Sequence, residues 1–332
     1  MITLKTTNDS ISIPSTWAEL SSAQFIKVIK LYNEMANGDR NVLEFRLKLL
    51  KMLSGYERGK KGVDDETAET IDSNLLILSQ MLTFAIKPVY ANPEIMEIFT
   101  EDLQALLKTT FPFDITAIEH TEQLAMVADQ LQWFPVLNLD FGTNPMPEVL
   151  VGDVMRAGPV FDIDSFGIIS TDMIAEEYVD AMEYLRLYQF SDNIGYLDKM
   201  ISVLYREKRH DYNTFRESLP CEVANLTICT KLAIEKIFEY ICSSVTTHPA
   251  FEILFSANET KSGGSFSDVF FHLSEKGLGS RTSIARWNLT DFFQAIVRDL
   301  KNNVTSLRAS GVDDSKISHE MNIPIETLQR IM

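Results

Sequence analysis

The sequence predicts a mainly α-helical protein: two related helical lobes, a short β connector and a small helical C-terminal module. Three observations lead there. Apolar residues recur at i, i+3, i+4 spacing over most of the chain. Strand-like runs bounded by glycine and proline gather only near residues 2–13 and 135–167. The plan of residues 13–56 also returns about 155 positions later, as an internal duplication would require. The expected boundaries are 1–134 for the first lobe with its leading hairpin, 135–168 for the connector, 169–260 for the second lobe (repeating 14–107) and 261–332 for the last module. At 332 residues the chain exceeds what one core usually serves, so two or three domains are expected.

Taken in order, Ile2 to Ile13 alternate apolar and polar around Asn8-Asp9, a hairpin pattern. Two capped amphipathic helices follow. Ser21-x-x-Gln24 is a capping box, in which hydroxyl and amide satisfy orphan N–H groups of the first turn. Phe25, Val28, Ile29, Tyr32 and Met35 form the first stripe, closed by Asn37-Gly38, since glycine takes the left-handed conformation. Val42, Phe45, Leu49, Met52 and Leu53 form the second, closed by Gly55. After a charged loop at 59–69, a third helix is expected over Ile71–Ile86. Pro93 then opens a helix running through Met96, Phe99, Leu103 and Leu107. Phe111-Pro112-Phe113 breaks it, and a shorter helix spans Thr121–Phe134.

Between Pro135 and Gly167 the pattern changes to short runs at 136–139, 149–151 and 160–163. These predict two or three strands that join the N-terminal hairpin or dock on helices, because an isolated hairpin is marginal in water. The second lobe fills about 170–257, a polar linker 258–267 follows, and Leu289–Leu300 reads as a helix. Two short helices joined at Asn322-Ile323-Pro324 end the chain.

The echo has a definite register. Tyr178, Ala181, Met182, Leu185 and Tyr188 fall on Phe25, Val28, Ile29, Tyr32 and Met35 (178 − 25 = 153), and Ile194, Leu197, Ile201 and Leu204 fall on Val42, Phe45, Leu49 and Met52 (194 − 42 = 152). Any two helical stripes can be slid into phase. Two features fall outside that explanation: Asn92-Pro93 is answered by His248-Pro249, and Arg58, Lys60, Lys61 by Arg206, Lys208, Arg209.

Composition narrows the function classes. The net charge is −17, and residues 91–190 hold 18 acidic residues against three basic ones. Such a surface repels nucleic-acid phosphate and steers basic partners, or is simply a solvated face. The N-terminus lacks the apolar segment of a signal peptide, and Cys221, Cys229 and Cys242 are an odd number within helical pattern. Reduced thiols and cytoplasmic synthesis are expected.

Candidate chemistry is sparse. Asp162 and Asp164, with Asp140 and Asp153 nearby, could offer oxygen ligands to Mg²⁺ or Ca²⁺, or serve turns. The terminal helices resemble a helix-turn-helix, whose only DNA-facing candidates are Lys316, Gln329 and Arg330; a terminal helical cap is the alternative. His120, His210, His248, His272 and His319 are scattered, and no phosphate loop or nucleophile elbow appears. Gly277-Leu278-Gly279-Ser280-Arg281 is read as a turn, and Trp17, Trp133 and Trp287 as core anchors. No cofactor is expected.

Pro14, Trp17, Glu19, Leu20, Gln24 and Phe25 fit a loose P-x-x-W-x-E-[LIV]-x-x-x-Q-[FY] pattern. This stretch of about 45 residues resembles the opening of helical proteins in the structural modules of tailed phages and prophages of Bacteroides-type hosts. The second lobe lacks the tryptophan, having Asp172 after Thr171. The resemblance implies a non-enzymatic tail-assembly or virion component, oligomeric and partnered by other virion proteins, and transfers no functional residue. A DNA-binding regulator using the C-terminal unit and a metal-dependent enzyme with carboxylates near Asp162 are the alternatives.

Overall fold

The computed structural model describes residues 1–5, 10–55, 65–207, 223–255 and 266–330. The turn at Asn8-Asp9, the basic residues Arg58, Lys60, Lys61, Lys208 and Arg209, Cys221, His210 and most of the 258–267 linker lie outside them. The fold is mainly α, and among the described residues the strands form small two-stranded antiparallel sheets. Two compact units meet in the sequence at Phe141/Gly142, so the β segments after 141 belong with the second.

In the first unit, β1 (Ile2–Lys5) and β2 (Ser10–Ile13) pair with each other, as a sheet of their own. Helix α1 (Ser22–Ala36) opens on the capping box read from sequence: Gln24 N–H donates to Ser21 Oγ at 3.3 Å, and Ser21 N–H to Gln24 Oε1 at 2.9 Å. Helix α2 (Val42–Ser54) opens on a second capping box, Asn41 with Glu44, and closes at Gly55 in the left-handed region. Phe25, Val28, Ile29, Phe45 and Leu49 are all buried. Trp17 is the centre of this core. It meets Phe25, Phe84 and Phe141 edge-on at centroid distances of 5.5, 5.1 and 4.9 Å, and its indole N–H donates to the Asn138 carbonyl at 2.9 Å.

Three expected helices come out differently. Helix α3 covers Asp65–Gln80, and Ile86–Tyr90 is a strand, β3, paired with β4 (Trp133–Leu137). Pro88 faces Pro135 across the ladder, so neither missing N–H costs a bond at a site where none is exchanged. The helix expected after Pro93 is a 3-10 turn, Pro93–Ile98, then α4, Glu101–Leu107, because Phe99 turns extended to bury its ring. The helix expected to reach Phe134 ends early as α5 (Ile118–Met126), since Trp133 and Phe134 pair with Tyr90 and Val89; aromatic residues favour such a pleated surface. Phe99, Leu103, Leu107, Ile115, Leu124 and Leu131 form a small core of their own.

The second unit opens with two hairpins, β5–β6 (Glu148–Val151, Val154–Ala157) and β7–β8 (Phe161–Ile163, Ile169–Thr171). The expected strand regions are present, but they pair as hairpins and not with the N-terminal one. Gly152, at φ +61°, makes the two-residue turn of the first. Helices α6 (Ala175–Ser191) and α7 (Ile194–Leu204) pack side by side on α8 (Ile228–Thr247), whose inner face buries Ala233, Ile234, Ile237, Phe238 and Ile241. A 3-10 turn at Pro249–Phe251, α9 (Glu252–Phe255), α10 (Phe266–Glu275), α11 (Arg281–Ala285), α12 (Leu289–Ala309), α13 (Asp314–Met321) and α14 (Ile325–Gln329) complete the unit. Tyr178 ties α6 to α8 and α12 through Phe238 at 5.9 Å and Phe293 at 5.6 Å. No described helix is long and apolar enough to cross a membrane.

Helix α6 starts without a side-chain cap, because Ile174 stands at the N-cap. The seam with α12 supplies the missing partners. Ala175 N–H donates to Trp287 O at 3.0 Å, Leu289 N–H to Met173 O at 2.9 Å, and Asn288 Nδ2 to Thr171 O at 2.6 Å. Asn288 Oδ1 also caps α12, accepting from Thr290 N–H at 3.0 Å.

Candidate functional site

The sequence candidates are dispersed. Asp164 organises its own turn: Oδ1 accepts from Phe166 N–H at 2.8 Å and Ile168 N–H at 2.9 Å. Asp162 lies in β7 opposite Ser170, half-buried. Among the described residues no group of three or more His, Cys, Asp or Glu side chains is placed to hold a metal ion. Arg330 pairs with Glu252 at 2.7 Å and Lys316 reaches Glu320 at 3.8 Å, while Gln329 is exposed. Helix α14 has five residues and turns Thr327 and Leu328 inward. Arg308 fixes this end, gripping both Asp314 oxygens and donating to the Leu328 carbonyl at 2.8 Å.

Among the described residues of the second unit, two clefts are open to solvent and worth weighing. One, of about 360 Å³, lies between the outer face of α6 (Glu176, Asp180, Glu183) and Phe270, Arg281 and Thr282. Arg281 also covers the Phe271 ring at 4.1 Å. The other, about 310 Å³, runs along Trp287, Asp291, Gln294 and Arg298, so Trp287 borders a cleft where a core anchor was expected. Neither of these clefts is lined by a histidine or cysteine.

Among the described residues, Cys242, His248 and Asp299 each have an evident structural tie. Burial pushes the Cys242 thiol up to about 12, beside Tyr178, whose phenol burial also raises; a thiolate nucleophile is not available there at neutral pH. His248 Nδ1 accepts from Ala250 N–H at 3.1 Å, so Nε2 carries the proton donated to Gly167 O at 2.8 Å. Partial burial pushes the Asp299 carboxyl up, but hydrogen bonds from Lys276 and His272 outweigh it and hold the group below its ordinary value.

Several charged residues are buried, among them Arg206 of the basic cluster noted in the sequence and others that no sequence pattern singled out. Arg46 of α2 is 1 % exposed, meets Asp114 at 2.6 Å and lies over Phe111 at 4.7 Å and Phe113 at 5.5 Å. Glu177 meets Arg206 at 2.5 Å, and Asp198 meets Lys231 at 2.7 Å, with Lys231 also donating to Ala224 O at 3.1 Å. Their signal was a charge standing on the apolar stripe, as Arg46 does between Phe45 and Leu49. Glu235 of α8 is buried, with its carboxyl pushed up to about 7 by desolvation against the pull of Lys236 at 3.6 Å.

The surface feature that stands out is the β5–β6 hairpin. One face is fixed. Val149, Val151 and Arg156 are buried, and Ala157 exchanges both backbone hydrogen bonds with Arg206 at 2.8 and 3.0 Å. The other face presents Leu150, 56 % exposed, directly opposite Met155, 52 % exposed, with Glu148 and Asp153 at its margins. On the adjoining hairpin Phe166 is 89 % exposed. Comparison with protein-family models, curated proteins and solved structures returns no match.

Proposed function

We propose that this chain is a non-enzymatic structural or assembly component of a tailed-phage virion, in a tail or neck module, that acts by docking on other proteins. The observation that carries the reading is the Leu150–Met155 pair held toward solvent on a rigidly anchored hairpin. Exposed apolar clusters with polar margins mark protein contacts. The stretch that resembles phage structural proteins is core architecture here, since Pro14, Trp17 and Phe25 are buried and Gln24 caps α1.

We also read α1–α2 and α6–α7 as copies of one helix pair. Both second helices start from an asparagine N-cap in the same register (193 − 41 = 152), each closing on a backbone N–H of its first turn. Both bury one charge at the same position (198 − 46 = 152), Arg46 in one and Asp198 in the other. Pro93 and Pro249 each open a 3-10 turn.

The test is direct. Mass spectrometry of purified particles and of assembly intermediates should detect the chain, and co-expression with neighbouring tail or capsid proteins should give large complexes in light scattering. A chain absent from particles and intermediates, and monomeric beside those proteins, sinks the proposal.

A further inference from the structure

We infer that the outer face of the β5–β6 hairpin docks on a basic, apolar-centred surface of a different protein and not on a second copy of this chain. The inference rests on the assembly reading above and specifies its partner. Strand register puts Glu148, Leu150 and Met155 on the same face, with Asp153 at the turn, while Val149 and Arg156 pair on the opposite, buried face. Between residues 142 and 172 the chain has five acidic residues (Glu148, Asp153, Asp162, Asp164 and Asp172) and one basic one, Arg156, which is buried. The visible surface of both hairpins is thus apolar and acidic, with no exposed cation. A second copy would bring acidic margin against acidic margin around Leu150 and Met155. Like charges brought together at a desolvating contact cost several kcal/mol, whereas lysines and arginines around an apolar centre satisfy both parts of the face. Leu150 and Met155 are the central contacts and the carboxylates set partner choice, as in interfaces where a few apolar anchors sit inside a polar rim.

The hairpin is suited to this because its inner side is immobilised. Tyr205 Oη donates to Met146 O at 2.7 Å, and Arg206 joins β6 by its backbone and Glu177 by its guanidinium. Docking then orders few groups, which lowers its entropic cost.

The experiment uses the full chain and a fluorescent synthetic peptide alternating lysine and leucine, with glutamate–leucine and lysine–serine peptides as comparators, read by anisotropy at low and high salt. The lysine–leucine peptide should bind saturably and the others should not. Leu150→Ser with Met155→Ser should weaken binding by at least roughly tenfold, the loss of one or two apolar anchors. Glu148→Lys with Asp153→Lys should weaken it at low salt and much less at high salt, where charges are screened. All four side chains are exposed, so circular dichroism should report unchanged folding. Binding unaffected by both double variants overturns the inference, as does concentration-dependent dimerisation abolished by Leu150→Ser and Met155→Ser. Neither result bears on whether the chain is found in particles, which decides the assembly reading separately.

Discussion

Tyr205 lays its ring against Gly158: a Cβ built on the glycine would stand 2.6 Å from Cε1 and 2.8 Å from Cζ of the tyrosine. The glycine is needed here for space, at the point where the β5–β6 hairpin leaves its sheet. Gly158→Ala should cost about 1–3 kcal/mol, the usual range for an overpacked site. Urea unfolding of Gly158→Ala, Tyr205→Leu and the double variant should give a cycle in which the alanine costs much less beside leucine. Equal costs in both backgrounds would show that the two residues do not press on each other.

The Arg46–Asp114 pair predicts an asymmetry. Asp114→Ala strands a guanidinium that is almost wholly buried against the Phe111 and Phe113 rings, a loss of about 3–5 kcal/mol. Arg46→Met with Asp114→Leu removes both charges and should recover most of it. Thermal unfolding of the single and double variants gives the comparison; a double variant as unstable as the single one contradicts it.

Glu235 makes stability depend on pH in a defined direction. Its folded-state pKa of about 7 lies above the ordinary value of 4.5, so between those values the folded state holds the proton that the unfolded state has lost. Its contribution to stability therefore declines as pH rises from about 4.5 through 7. Glu235→Gln should flatten that decline and gain on the order of 2 kcal/mol at pH 8 relative to the parent. Chemical denaturation at pH 5 and pH 8 measures it, and an unchanged slope would remove Glu235 as the cause.

Asn288→Ala removes the cap of α12 and the donor to Thr171 O together. The expected loss is about 1–3 kcal/mol, with faster amide exchange at Thr290 and at the start of α6. Asn288→Asp keeps the cap and loses only the donor, so it should fall between. Exchange confined to α12 would show that the seam does not hold α6.

The helix pairs were legible because their apolar stripes and caps are local properties. Ser21 and Gln24 announce α1 within one turn, and Asn322 before Pro324 announces the bend between α13 and α14. The strand β3 was not, because Ile86-Lys87-Pro88-Val89-Tyr90 continues an apolar run whose fate is set by Trp133–Leu137, about 45 residues away. The hairpins were seen as strand-like, but their register was not, and register decides that Leu150 and Met155 face outward while Val149 faces inward. The charged residues inside the core were hidden for a similar reason: Arg46 and Asp114 are 68 positions apart (114 − 46 = 68), and no periodicity connects them.

In the register proposed above, Arg46 of α2 and Asp198 of α7 carry opposite signs and have partners of opposite sign. Grafting α2 into the place of α7 would set Arg46 against Lys231; the reverse exchange would set Asp198 against Asp114. Each graft confines two like charges where water cannot reach them. Exchanging the two helices in that register would therefore destabilise the chain.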